Sequence, residues 1–238
     1  MEKGTLYLIP VPLGESVVSS CIPEGVMDQV KKLSHFVVEN EKTARRHLKS
    51  LYPEVDQSSL FIEVLNLKTK ADEIDFLLEP CLNGHSVGLL SEAGCPAVAD
   101  PGALLIRRCH QLKIPIKPFV GPSSILLTLM ASGLNGQQFS FNGYLPHDAH
   151  ERKKQLKALE RESLQKKQTQ LFMETPYRND KLLRELLDTL SLDTLLTVGV
   201  EISLTGEEIH TKTVAEWLST PLPSLNKRPS IFALLKET

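Results

Sequence analysis

Short apolar runs alternate with amphipathic stretches along most of this chain. Thr5–Ile9, His35–Val38, Phe61–Val64, Val87–Leu90 and Ile116–Phe119 are brief apolar runs, and they predict strands. Helical periodicity lies between them. Pro23–Leu33 repeats Val26, Val30 and Leu33 on one face. Thr43–Leu51, Lys70–Leu82 and Pro101–Leu112 follow, and Gly121–Ser124 caps an apolar helix through Leu129. The alternation predicts an α/β fold with a mainly parallel sheet and helices on both faces. A polar, glycine-bearing stretch at Gly133–Gln138 marks a boundary, giving an N-terminal αβα domain over residues 1–134 and a C-terminal αβα domain over 135–238. Phe139–Tyr144 opens the second domain. Gln170–Met173, Leu196–Ile202 and Ile231–Lys236 predict its strands, and Asp148–Lys167, Asn179–Leu190 and Thr213–Leu218 its helices.

Composition narrows the class. Of 238 residues, 41% are apolar and 24% charged, enough to build a sizeable core. The formal charge of −2 argues against a protein held to nucleic acid by bulk positive charge, and leaves room for a local basic patch. The helix Asp148–Lys167 is one candidate; its bland reading is a solvated face. Cys21, Cys81, Cys95 and Cys109 lie far apart without a CxxC pair, which predicts free thiols in a reducing, cytoplasmic compartment. The start, MEKGTLYLIPVP, reads as a first strand rather than a signal peptide, and no apolar run is long enough to predict a membrane span. The seven histidines show no metal-ligand spacing, and neither a GxSxG elbow nor a Walker A loop occurs.

The stretch Val87–Gly102, VGLLSEAGCPAVADPG, carries the most chemistry. A buried strand breaks into small residues and prolines, which let the main chain approach a ligand at the carboxyl end of a sheet. Glu92 and Asp100 flank this loop, either as helix caps or as ligands for ribose hydroxyls or an amino group. Leu8–Gly14 is a strand and tight turn without a dinucleotide fingerprint. Gly121–Ser124 is either an N-cap or a polar ligand's seat. Glu174–Arg178 joins a strand to a helix, where Arg178 either closes a salt bridge or meets a phosphate.

Taken in order, these pieces resemble the tetrapyrrole-methylase (class III) group of S-adenosylmethionine-dependent methyltransferases, most of all its branch that 2′-O-methylates a cytidine in small-subunit ribosomal RNA. The branch's P-x-P-x-G-N reads here Pro10–Glu15, and its A-E-D-T-R reads Val38–Lys42. Its S-D-A-G-T-P-G-x-S-D-P-G reads Ser91–Gly102, and its P-G-P-S reads Val120–Ser123. Its S-G-L and F-x-G-F-L-P read Ser132–Leu134 and Phe141–Pro146, and its E-S-P-H-R reads Glu174–Arg178. The sequence departs from the pattern at Glu15, Asn40 and Glu41. Where the branch has A-R-E-L-T-K, the chain reads Gly199–Leu204, so that Val200 and Leu204 replace an Arg and a Lys.

The resemblance implies two αβα domains with mainly parallel sheets, a cofactor cleft between them, and a homodimer. It implies S-adenosylmethionine as cofactor; the histidine spacing gives no metal site. On the matched positions the cofactor wall falls on Pro12, Gly14, Ser91, Glu92, Ala93, Ala97, Val98, Ala99, Asp100, Ser123 and Ser124, with Met173 and Val200 from the second domain. A ribose hydroxyl is a very weak acid, so a base helps. Glu39, at a strand end, is the first candidate, with Glu174 and Glu201 as alternatives. Lys42, Arg45 and Arg178 are the candidates for holding an RNA substrate of the small ribosomal subunit. Two other readings stay open: methylation of a porphyrinoid carbon, and a paralogue that binds the cofactor without catalysis.

Overall fold

A computed structural model of the chain describes residues 2–15, 20–66, 69–70 and 73–238. The chain divides into two compact units, Met1–Ser123 and Ser124–Thr238.

The first unit holds strands β1 (Leu6–Ile9), β2 (His35–Val38), β3 (Phe61–Val64), β4 (Val87–Leu90) and β5 (Ile116–Pro118), with helices α1 (Glu24–Val30), α2 (Glu41–Leu51), α3 (Glu73–Leu82) and α4 (Ala103–Gln111). The sheet order is β3-β2-β4-β1-β5 and every pairing is parallel, with Ile9 opposite Leu90 and Val38 opposite Leu90. Side chains alternate across this sheet into two cores. Leu6, Val37, Val87 and Leu89 pack with Leu77, Leu78 and Cys81 of α3 and with Leu105 and Cys109 of α4. Ile9, Phe36, Val38 and Leu90 pack with Val26 and Val30 of α1 and with Ala44, Leu48 and Leu51 of α2. Burial on both faces explains why β4, VGLL, reads as an unbroken apolar run.

The second unit begins with helix α5 (Ser124–Ser132). It continues through β6 (Phe139–Tyr144), α6 (Ala149–Lys166), β7 (Thr169–Met173), α7 (Asn179–Thr189), β8 (Leu195–Val200), β9 (Glu208–Thr213), α8 (Val214–Leu218) and β10 (Ser230–Leu235). The sheet order is β6-β7-β10-β8-β9. Here the structure departs from a mainly parallel sheet. Only β6–β7 is parallel, whereas β10 runs antiparallel to β7 and β8, and β9 antiparallel to β8. The β8–β9 link carries no helix among its described residues, so it is a hairpin-like reversal rather than a crossover.

The division between the units falls before α5, not after Leu134 as the sequence reading places it. The reason is packing: Leu129 of α5 sits on Leu171, Ile231 and Ala233, all in the second sheet. The opposite face of that sheet, with Phe172, Val198 and Phe232, is covered by Leu156 and Leu159 of α6, Leu182–Leu187 of α7 and Trp217 of α8. Side-chain caps fix the helix ends. Asp148 accepts from the His150 and Glu151 main-chain N–H groups, and Thr213 and Glu216 form a reciprocal capping box. All four cysteines are free, and among the described residues no helix is long and apolar enough to cross a membrane.

Candidate active site

Strand β4 lies between β2 and β1 in the first sheet. The two core clusters put α1 and α2 on one face of that sheet and α3 and α4 on the other. The chain leaving β4 therefore turns toward the face opposite to those leaving β1 and β2. Such a reversal opens a crevice at the carboxyl ends of the strands, where open α/β sheets take ligands. Three segments meet this edge: Pro10–Gly14 after β1, Glu39 and Asn40 after β2, and Ser91–Gly102 after β4. Val11 and Gly94 tie the first and last together, exchanging main-chain hydrogen bonds of 2.8 Å in both directions.

The loop Ser91–Gly102 is held in conformations that ordinary side chains avoid. Gly94 (φ 72°), Ala97 (φ 63°), Ala99 (φ 64°) and Gly102 (φ 138°) all have positive φ. The two alanines each cost about 1 kcal/mol there. A Cβ on Gly102 would stand 3.0 Å from Ala97 Cβ and 3.1 Å from Leu89 Cδ2. Backbone strain of this kind clusters where a loop binds or gates something. Ala93, Val98 and Ala99 are exposed, Ala97 is half-buried, and Cys95 donates to the Pro122 carbonyl. The turn after β1 contributes a buried Pro12 and an exposed Gly14 and Glu15.

Three carboxylates converge beside this loop. Glu39 is half-buried, and its Oε2 has no hydrogen-bond partner among the described residues. Burial raises the Glu39 pKa above the usual carboxylate range, the Glu92 charge adds to this, and the Glu92 main-chain N–H partly opposes it. Asp100 is pushed up to about 6, first by burial and then by the Glu39 charge; a Ser91 hydrogen bond pulls it back, and Glu92 raises it further. Glu92 accepts a hydrogen bond from the Thr43 hydroxyl. Among the described residues none of the three carboxylates is ion-paired with a lysine or arginine. The cluster thus has negative charge without a cation to match it among the described residues, and an acceptor to spare at Glu39 Oε2. Thr43 is the member that sequence reading missed. The signal was its place three residues beyond Asn40, from which a hydroxyl can reach back over the helix start.

An open groove of about 500 Å³ adjoins the cluster, lined by Glu39, Asn40, Glu41, Lys42, Arg45 and Val64. Asn40 caps α2, accepting from the Lys42 and Thr43 N–H groups at 3.0 and 3.2 Å. Asparagine and aspartate cap equally well, so Asn40 keeps the cap while leaving out one more negative charge beside Glu39. Lys42 is exposed in the groove and has no ion pair among the described residues. Arg45 is committed otherwise: Nε donates to Glu41 at 2.8 Å and Nη1 to the Gln57 carbonyl at 2.8 Å.

The candidates of the second unit sit in different surroundings. Glu174 is buried; it accepts from Arg178 Nη2 at 2.5 Å and from the Thr175 N–H at 2.7 Å. Arg178 also reaches the His147 ring at 2.6 Å. This is the salt-bridge alternative for that junction. Glu201 is held by Arg228, whose Nη2 lies 3.0 Å from Glu201 and 2.8 Å from Glu208. Both carboxylates are thus neutralised by an arginine, unlike Glu39. Met173 ends β7, half-buried against Leu171 and Ile231. Val200 ends β8, buried in the core with Phe172 and Trp217. Ser123 closes the first unit and Ser124 opens α5, both half-buried.

A sequence profile of the tetrapyrrole (corrin/porphyrin) methylases matches residues 18–217, and the chain belongs to that family. The ribosomal RNA small subunit methyltransferase I of Vibrio cholerae is 28% identical over 230 residues, spanning 97% of this chain and 76% of its own. The protein of that name from Escherichia coli O157:H7 is 27% identical over 236 residues, spanning 99% and 78%. In fold, the methyltransferase CobJ superposes with a TM-score of 0.64 at 13% identity, covering 99% of this chain and 95% of CobJ. Uroporphyrin-III C-methyltransferase from Thermus thermophilus, complexed with S-adenyl homocysteine, gives 0.54 at 15% identity, covering 98% of each chain.

Proposed function

We propose that this chain is a methyltransferase that moves a methyl group from S-adenosylmethionine to a cytidine 2′-hydroxyl of small-subunit ribosomal RNA. One observation carries the reading: the carboxylate cluster without a counter-cation, set against a loop of bare main chain at the carboxyl end of β4. The donor's chemistry fits that cluster. It is cationic at sulfur and amine and carries a ribose diol, whereas Glu39 Oε2 has no partner and neither Glu39 nor Asp100 has a counter-cation among the described residues. Asp100 and Glu92 would hold its polar groups, and Ala97, Val98 and Ala99 would let it lie against the backbone. Bound, S-adenosylmethionine supplies an electrophilic methyl group.

The chain's own contribution is position and a proton acceptor. Glu39 takes the proton of the attacking hydroxyl, because it alone of the three candidate bases has a free oxygen beside the open groove. Burial and the Glu92 charge raise its pKa, which makes it a stronger base than an ordinary carboxylate. Lys42 faces the same groove and would steer an acceptor phosphate. The acceptor itself is supported by relatives named for the ribosomal small subunit that align with nearly the whole chain.

The test is direct. Protein, isotopically labelled S-adenosylmethionine and unmodified small-subunit RNA are incubated, and the RNA is digested to nucleosides. Label recovered as 2′-O-methylcytidine supports the reading. Label on uroporphyrinogen and none on RNA points to the porphyrinoid alternative. Donor binding with no transfer to either acceptor points to a non-catalytic paralogue.

A further inference from the structure

Half of the lysines and arginines of the second unit lie between Arg152 and Lys167, although the whole chain is slightly acidic. Helix α6 sorts them into two uses. Arg152 is buried and structural: it donates to Glu185 at 2.6 and 2.8 Å and to the Pro146 and His147 carbonyls at 2.8 and 2.9 Å. Lys153, Lys157 and Arg161 are exposed and have no ion pair among the described residues. At four-residue intervals they form one stripe along the helix, roughly 6 Å apart along its axis, with Lys154 on its flank.

The nearby acids do not serve this stripe. Glu160 accepts from the Ser191 N–H and the Thr194 hydroxyl, and Glu162 pairs with Lys166. Lys153/Lys157 and Lys157/Arg161 are like-charge pairs one turn apart, which weaken a helix. Local stability therefore does not explain the array. The helix withstands it because Leu156 and Leu159 are buried in the core and Arg152 is clamped to α7.

We infer that the Lys153–Lys157–Arg161 stripe is a docking surface for the phosphate backbone of RNA. This rests on the reading of the chain as an RNA methyltransferase. A membrane-surface helix would turn a face of several leucines outward beside its lysines, whereas here Leu156 and Leu159 face the core and Leu164, one turn beyond Arg161, is exposed alone among the helix's leucines. Protein interfaces are depleted in lysine and need buried anchors, and the stripe offers none. Phosphate contacts need neither; they fix register and orientation without reading sequence.

The test uses the full chain carrying Lys153→Gln, Lys157→Gln and Arg161→Gln together. Its probe is unmodified small-subunit ribosomal RNA made by transcription, with binding measured from 50 to 300 mM salt. Removing three cations should lower the salt slope of log K by about 2 and raise Kd at least tenfold at low salt. S-adenosylhomocysteine affinity should stay within twofold of wild type, which shows that the variant is folded. Arg161→Lys alone should retain the slope. A wild-type protein that binds and methylates the RNA, beside a triple variant with unchanged Kd and slope, overturns the stripe and spares the functional reading. A wild-type protein that neither binds nor methylates the RNA overturns both. Loss of binding to anionic phospholipid vesicles in place of RNA also overturns the inference.

Discussion

Asp100→Asn should make the protein more stable, and increasingly so as pH rises. Asp100 is held at about 6 against an ordinary 3.8, chiefly by burial and next by the Glu39 charge. The folded chain therefore holds the Asp100 proton more tightly than the unfolded chain does. Below about pH 3 both states are protonated and the group costs nothing; the penalty grows as pH rises through the interval between the two pKa values and is complete above the upper one. A shift of that size is about 3 kcal/mol at full strength. Asp100 retains contact with water, and screening reduces the cost to about 1–2 kcal/mol. Asparagine keeps the shape and can still accept from Ser91, but carries no charge. Urea unfolding should show the variant ahead by about 1–2 kcal/mol at pH 8, by about half of that at pH 5, and by almost nothing at pH 3. An advantage independent of pH, or a variant less stable at pH 8, would refute the account of the acid cluster.

Two further perturbations test the framework that positions the site. Gly88→Ala should cost about 1–3 kcal/mol in thermal or urea unfolding, since the new Cβ would stand 2.6 Å from Ile9 Cδ1 and 2.8 Å from Phe36 Cδ1. Arg152→Met should cost about 2–4 kcal/mol, because it leaves Glu185 and two main-chain carbonyls without their donor; a loss below about 0.5 kcal/mol would contradict the clamp.

Much of the first unit was legible because its inner strands β2 and β4 are buried on both faces, while the edge strand β3 keeps an apolar run although it is largely exposed. His35–Val38, Phe61–Val64 and Val87–Leu90 appear at the boundaries their apolar runs set. The loop after β4 was legible too, since small residues and prolines following such a strand have few other uses. Strand β9 was not foreseen. Its residues, EIHTKT, are mostly polar, and it lies at the sheet edge where one face meets solvent. The mixed direction of the second sheet was equally hidden, because strand direction depends on how the chain returns and not on periodicity. The boundary after Leu134 followed a polar stretch, whereas the division follows the packing of Leu129. Of the candidate bases, sequence could not separate Glu39 from Glu174 and Glu201. The difference lies in Arg178 and Arg228, and Arg228 is distant in sequence from the glutamate it neutralises.

The most direct measurement compares Glu39→Gln with the wild-type chain, following methyl transfer to unmodified small-subunit RNA alongside S-adenosylhomocysteine binding. A base at this position predicts a fall in kcat of about a hundredfold or more, with binding changed only a few-fold. Transfer by the glutamine variant at the wild-type rate would contradict the assignment of the reaction to this edge of the sheet.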